Sequence, residues 1–459
     1  MSESTPKAII TPAELARTSR RAFCYSAASV MLARPALLNP ARAFGQQTAA
    51  EAFATTQVDV AAIDRDRILA AADRYLALSP APLTSLQCAR SPGTVHDYYS
   101  EAPPDADSTD AQAAAPDKNA APPPPPFTAH RDALFTLGLA VPALAGAWLL
   151  TRESRYSEHA ALHLRAWFVD PATSMTPSLN YAHTLPEPDD QRPTVRSDSS
   201  SSTIATAHAT GHFEGILETL PLVEVAQAIP FLAASAVLDD SSLAALHAWF
   251  AAYLGWLSTP EDSGPRLPAL ARDHKDHHAT SWLLQASAYA SLAVTRGDAL
   301  RSEDTALTEL RHRFKSVTLR SQISAEGNFP HELSSVTPYR DSLFNLDMLA
   351  GVCHLLSTRF ESIWDYQLED GPGMRSAIAY HFPFILERDR WPFRADAQHF
   401  SELPARRASL LLAARAYQRP EYAALWKTLP PDPPTPDVLR TLPIHQPLLW
   451  VREPPSRPA

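Results

Sequence analysis

The chain has 459 residues, 45% of them apolar and 20% charged, enough apolar material for a sizeable core and too much for wholesale disorder. Forty Lys+Arg against fifty Asp+Glu give a formal charge of −10, which argues against a general nucleic-acid binder. Three Cys (Cys24, Cys88, Cys353) are too few for a disulfide scaffold or a Cys-rich zinc module, and 13 Gly beside 43 Pro match Gly-rich phosphate-binding folds poorly.

In chain order, Arg17, Arg20 and Arg21 precede a mostly apolar stretch from Ala22 to Leu38 that ends near Ala41-Arg42-Ala43. Basic start, apolar middle and small-residue end are the architecture of an export signal, and Ser19-Arg20-Arg21-Ala22-Phe23 has a twin-arginine character. Residues 1–43 are therefore expected to direct export to the periplasm or beyond. They hold six Lys/Arg and two Asp/Glu, so their removal leaves 34 basic and 48 acidic residues, a formal −14. Cys88 and Cys353 would then remain, either as one disulfide or as two separate thiols.

The body, 44–428, reads as one domain. Helical spacing predicts helices near 58–78, 127–150, 155–169, 213–237, 240–257, 279–296, 299–318, 341–358 and 404–418, dominated by Ala and Leu. The apolar run Phe135–Leu150 is shorter than the roughly 20 residues needed to cross a bilayer, so it is expected to be a core helix with no membrane partner. The Ala/Pro/Asp-rich segment 101–126 and the polar stretch 187–203 read as loops, and 429–459 as a Pro-rich C-terminal tail. Successive Ala/Leu-rich helix pairs predict an all-α fold, an incomplete (α/α) toroid of antiparallel helix hairpins.

Three segments carry chemistry-bearing residues: Trp167-Phe-Val-Asp-Pro-Ala-Thr-Ser-Met-Thr-Pro-Ser-Leu-Asn-Tyr-Ala-His183, Lys275-Asp-His-His-Ala-Thr-Ser-Trp-Leu-Leu-Gln285, and Gly327-Asn-Phe-Pro-His-Glu-Leu333 followed by Ser342-Leu-Phe-Asn-Leu346. Together they resemble the alginate lyase-like family of polysaccharide lyases, with weaker echoes at His96-Asp-Tyr98 and Trp391-Pro-Phe393, over about 90–400. The resemblance implies an α/α toroid whose cleft takes an acidic polysaccharide and cleaves it by β-elimination, chemistry that requires no cofactor. Elimination needs a neutralised carboxylate, a base for the C5 proton of a uronate and an acid for the departing oxygen.

In that family these groups come from an Asn-His pair, an Arg just after Glu-Leu and a Tyr just before Ser-x-Phe-Asn-Leu. His278 falls on the family His and His277 replaces the Asn, while Ser335 stands at the Arg position and Asp341 at the Tyr position. The expected catalytic set is thus His278 and His277 with a phenol from Tyr339 or Tyr181. Asn180, His183, Arg272, Arg340 and Trp391 are the expected substrate contacts, although apolar packing is the alternative use of Trp391. Glu332 and Asn345 are expected to shape the turn that positions the catalytic loop. The run His274-Lys-Asp-His277-His278 has metal-like spacing but lacks the Glu of the usual His-Glu-x-x-His pattern, so no metal is expected. Two other readings stay open: a carbohydrate-binding protein that has lost turnover, and a hydrolase using Asp276 and Asp341. The sequence carries no indication of oligomeric state.

Overall fold

Ala- and Leu-rich segments with few β-branched residues fold here as long helices, and the computed structural model describes them over residues 58–103, 124–185, 210–260, 266–294, 305–433 and 435–456. The main helices are α1 (Arg65–Tyr75), α2 (Ala129–Thr151), α3 (Ser154–Leu164), α4 (Leu222–Ala234), α5 (Asp240–Leu257), α6 (Arg266–Asp273), α7 (His277–Val294), α8 (Thr305–Arg313), α9 (Pro338–Leu356), α10 (Met374–Leu386), α11 (Ala408–Tyr417) and α12 (Pro420–Thr428). Two short parallel strands, β1 (Tyr99–Glu101) and β2 (Tyr181–Thr184), pair Tyr99 with Tyr181. The export-signal expectation for 1–43, most of the loop expected at 101–126 and all of that expected at 187–203 lie outside the described residues.

An inner series of helices packs each against the next: α2 on α4, α4 on α7, α7 on α9 and α9 on α11. Outer helices pair with them, α3 with α2, α5 with α7, α10 with α9 and α12 with α11. The inner helices carry the apolar load. α9 buries Leu343, Leu346, Met348, Leu349 and Val352, and α7 buries Leu283, Leu284 and Tyr289. Close approach is steric as well as hydrophobic, since a Cβ at Gly138 of α2 would stand 2.3 Å from Pro221.

Three expectations are corrected here. α2 matches the helix expected at 127–150, but its apolar length was underestimated: it and Phe213–Ala234 are long and apolar enough to cross a membrane, although most of each is buried against other helices. α6, α10 and α12 were not expected as helices. The segment read as a Pro-rich tail is built into the core: Val438, Leu448, Leu449 and Trp450 are nearly inaccessible, and Leu448–Val451 packs on α2 and α4. Its anchor is Glu224, a buried carboxylate of α4 that accepts from the amides of His445 (2.6 Å) and Gln446 (2.8 Å) and from the Trp450 indole (3.3 Å). A charge inside an otherwise apolar helix needs such partners. Cys88 and Cys353 are both free thiols.

Candidate active site

A groove of about 640 Å3 opens beside the N-terminus of α7. His277 and His278 occupy that first turn, where backbone N–H groups have no intrahelical acceptor. Carboxylates fill the vacancy: the His277 amide donates to Glu332 Oε1 at 2.7 Å, and the His278 amide to Asp276 Oδ1 at 3.0 Å. The same carboxylates take the rings. His277 Nδ1 lies 2.8 Å from Glu332 Oε2, and His278 Nδ1 2.8 Å from Asp276 Oδ1. Each acid thus fixes one imidazole at two points, and the two rings stack with centroids 4.4 Å apart.

The stacked rings are driven to opposite protonation states. Burial pulls His277 down, but the Glu332 carboxylate outweighs it and lifts the ring to about 9, so His277 is an imidazolium at neutral pH. Burial also lowers His278, and the neighbouring positive His277 adds to this against the pull of Asp276. For Asp276, burial acts upward, but the His278 ring and the charge of His277 hold the carboxyl well below its usual range. An ionised carboxylate only accepts, so Nδ1 of neutral His278 carries the proton and Nε2 keeps its lone pair. His278 lines the groove and is 8% exposed.

The two departures from the family pattern meet each other. Ser335 Oγ donates to Asp341 Oδ2 at 2.7 Å, Thr337 Oγ1 donates to the same oxygen at 2.8 Å, and Arg340 Nε donates to Asp341 Oδ1 at 3.0 Å. Arg340 and Asp341 both line the groove, so a guanidinium is present although the family Arg position holds Ser335. Asp396 sets this face by accepting from the amides of Tyr339 (2.8 Å) and Arg340 (2.9 Å) in the first turn of α9.

That turn also settles Tyr339, which is a correction. Its ring points the other way, fully buried against Trp391 and Phe400, and its hydroxyl donates to the Phe384 carbonyl at 2.9 Å. Tyr181 packs in β2 near Gly93, outside the groove, and among the described residues no tyrosine lines it. Trp391 is a core residue whose indole donates to Arg394 O. Asn180 accepts from Trp256 Nε1, and Arg272 pairs with Asp273; neither lines the groove.

His183 does line it, with a left-handed backbone (φ 55°) that costs a non-glycine residue on the order of 1 kcal/mol. Its ring is clamped between Glu214 (Nε2–Oε2 2.7 Å) and Glu218 (Nδ1–Oε1 3.2 Å). Burial acts against its charge, but the two carboxylates prevail and raise it to about 9. Glu218 also accepts from Tyr98 and Ser100, joining β1 to the groove wall. Glu214, Glu218, Arg131, His399, Arg440 and His445 line the groove without having been singled out from the sequence. For Glu214 and Glu218 the one legible signal was charge within the apolar run 213–237; the other four carried none.

His274 Nδ1 also approaches Asp276 Oδ1, at 2.8 Å. His274, Asp276 and His278 offer ligand atoms all within 4.8 Å of one another, a set that could hold a divalent cation.

Against known proteins, the family model described as alginate lyase matches residues 85–391. Among solved structures the chain is similar to an alginate lyase from Bacteroides ovatus, with 22% identity and a TM-score of 0.64, covering 88% of this chain and 98% of that one. It also matches alginate lyase A1-III from Sphingomonas species A1, with 11% identity and a TM-score of 0.42 over 83% of this chain and 90% of that one. None of the curated proteins matches it in sequence.

Proposed function

We propose, from the premise that this chain belongs to the alginate lyase family, that it cleaves an acidic, uronate-containing polysaccharide by β-elimination in the groove around His278. The inner and outer helices then form the incomplete (α/α) toroid of that family, and residues 1–43 export the protein to the periplasm or beyond. The observation that carries the proposal is the stacked pair itself: two imidazoles 4.4 Å apart that line one groove, His277 Nδ1 on Glu332 and His278 Nδ1 on Asp276.

The chemistry follows from that pair. The uronate carboxylate makes C5–H acidic only when its charge is neutralised, and the His277 imidazolium and the Arg340 guanidinium supply that positive charge. His278 Nε2 takes the C5 proton, the C4–O bond breaks, and a C4–C5 double bond forms. With no tyrosine lining the groove among the described residues, protonated His278 returns its proton to the departing oxygen. One group serving both steps suits uronates whose C5–H and C4–O lie on the same ring face, as in mannuronate and glucuronate chains.

The hydrolase reading is disfavoured by the bonding of its two carboxylates. Asp276 is held ionised by His278, and Asp341 is committed to Ser335, Thr337 and Arg340. The binding-protein reading draws on the loss of the family Arg and Tyr, and turnover separates it from the enzyme. Polymannuronate, polyglucuronate and polyguluronate are incubated with wild type and with His278→Ala, and ultraviolet absorbance of the unsaturated product is followed. Wild type is expected to act on at least one of the first two, and His278→Ala to fall at least about 100-fold, the usual scale for a proton-transfer group. Full activity in His278→Ala removes that residue from the mechanism, and binding without product in wild type leaves only the carbohydrate-binding reading.

A further inference from the structure

We infer that Arg131 and Arg440 form a carboxylate subsite in this groove, which holds a uronate residue other than the one His278 deprotonates, and that the C-terminal segment exists in part to deliver it. The inference rests on the lyase reading and specifies how the groove grips its polymer. Both arginines line the groove, Arg131 from α2 and Arg440 from the turn after the short helix Pro436–Leu439.

The charges do not balance locally. Asp132 is the post between the two guanidinium groups: Arg440 Nη2 donates to its Oδ1 at 2.7 Å, while Arg131 Nε stands 4.0 Å from the same oxygen. Thr128 Oγ1 donates to the other oxygen at 2.9 Å and holds the carboxylate in place. Two cations thus share one anion, and Arg131 Nε is buried without a hydrogen-bond partner. Asp437, also on the groove, lies instead beside His399 Nε2 at 3.6 Å. Two guanidinium groups beside one carboxylate, with the Arg131 side chain still 30% exposed at the groove, suit a further planar carboxylate.

Arg440 is also held rigidly. Its guanidinium lies 4.3 Å from the Phe135 ring centre, a cation–π contact that fixes its plane. Its backbone is fixed on both sides, by Thr435, whose hydroxyl bonds Glu402, and by Glu224, which takes the His445 and Gln446 amides. A donor held by the fold loses little freedom when the ligand arrives. The whole segment lies beyond the 85–391 match.

The test measures binding of uronate oligosaccharides to the full chain carrying His278→Ala, by titration calorimetry, with disaccharide and tetrasaccharide ligands. Adding Arg440→Ala or Arg131→Gln is expected to weaken tetrasaccharide binding about tenfold and leave the disaccharide unchanged, with Arg440→Lys in between. Carboxyl-reduced tetrasaccharide should show no difference among the variants. Unchanged tetrasaccharide affinity in both Arg440→Ala and Arg131→Gln, each with a parent-like unfolding midpoint, overturns the subsite, as does equal loss for the reduced ligand or no binding to the parent. Failure is separable from failure of the lyase reading. If no polymer gives an unsaturated product while these affinities shift, the elimination chemistry falls and the subsite stands; product with unshifted affinities removes the subsite alone.

Discussion

His277 and His278 are adjacent in sequence and stacked in space, yet one is held charged and the other neutral, because Glu332 backs the first and burial governs the second. Elimination needs both states at once. The rate should therefore rise as pH climbs through the depressed value of His278, below the ordinary 6.5, and fall again near 9 as His277 loses its proton. Glu332→Gln removes the counter-charge and should bring the alkaline limb down from about 9 toward neutrality, read from a pH–rate profile; an unmoved limb would show that His277 is not the group titrating. The linkage to folding has the same sign. Raised His277 contributes stability that is complete below pH 6.5 and is lost as pH rises through about 9. His278, being lowered, contributes above 6.5 and loses that contribution as pH falls through its own depressed value.

Among the elements, the first turn of α9 and the C-terminal segment decide most about the groove. The Asp396 cap turns Arg340 and Asp341 to the groove and Tyr339 to the core, so a phenol that sequence neighbourhood favours is unavailable. Position on a helical turn is a 100° matter that a motif does not specify when its own residues are replaced. The C-terminal segment was illegible for a different reason: its anchor, Glu224, lies more than 200 residues away, and proline-rich composition alone reads as a tail. α2, by contrast, was legible because its apolar run is long and local. Glu224→Gln should lower stability by about 1–3 kcal/mol, the cost of weakening buried charge-assisted bonds, and should loosen the Arg440 wall. Chemical denaturation measures the first, and proteolysis after 435 the second. A variant as stable and as resistant as wild type would mean that Glu224 is not the anchor.

Across the whole molecule, a formal −10 would oppose the proposed polyanionic substrate at long range, while Arg131, Arg340 and Arg440, which line the groove, would attract it there. Salt screens the distant repulsion first, since the Debye length falls to about 8 Å at 0.15 M. The specificity constant kcat/KM should pass through a maximum at intermediate ionic strength, and a monotonic fall from the lowest salt would mean that repulsion is negligible. The family motifs located His278 and the Glu332 turn because those residues match in type and spacing, and the all-helical character followed from composition. Arg340 was also within reach of the sequence, whereas the groove-wall residues Arg131, Glu218 and Arg440 became visible only when distant segments met. Analysis of product mass tests the central claim most directly. Elimination predicts, for each cut, an unsaturated fragment one water lighter than a hydrolysis product, whereas saturated fragments alone, with one water taken up per cut, would contradict it.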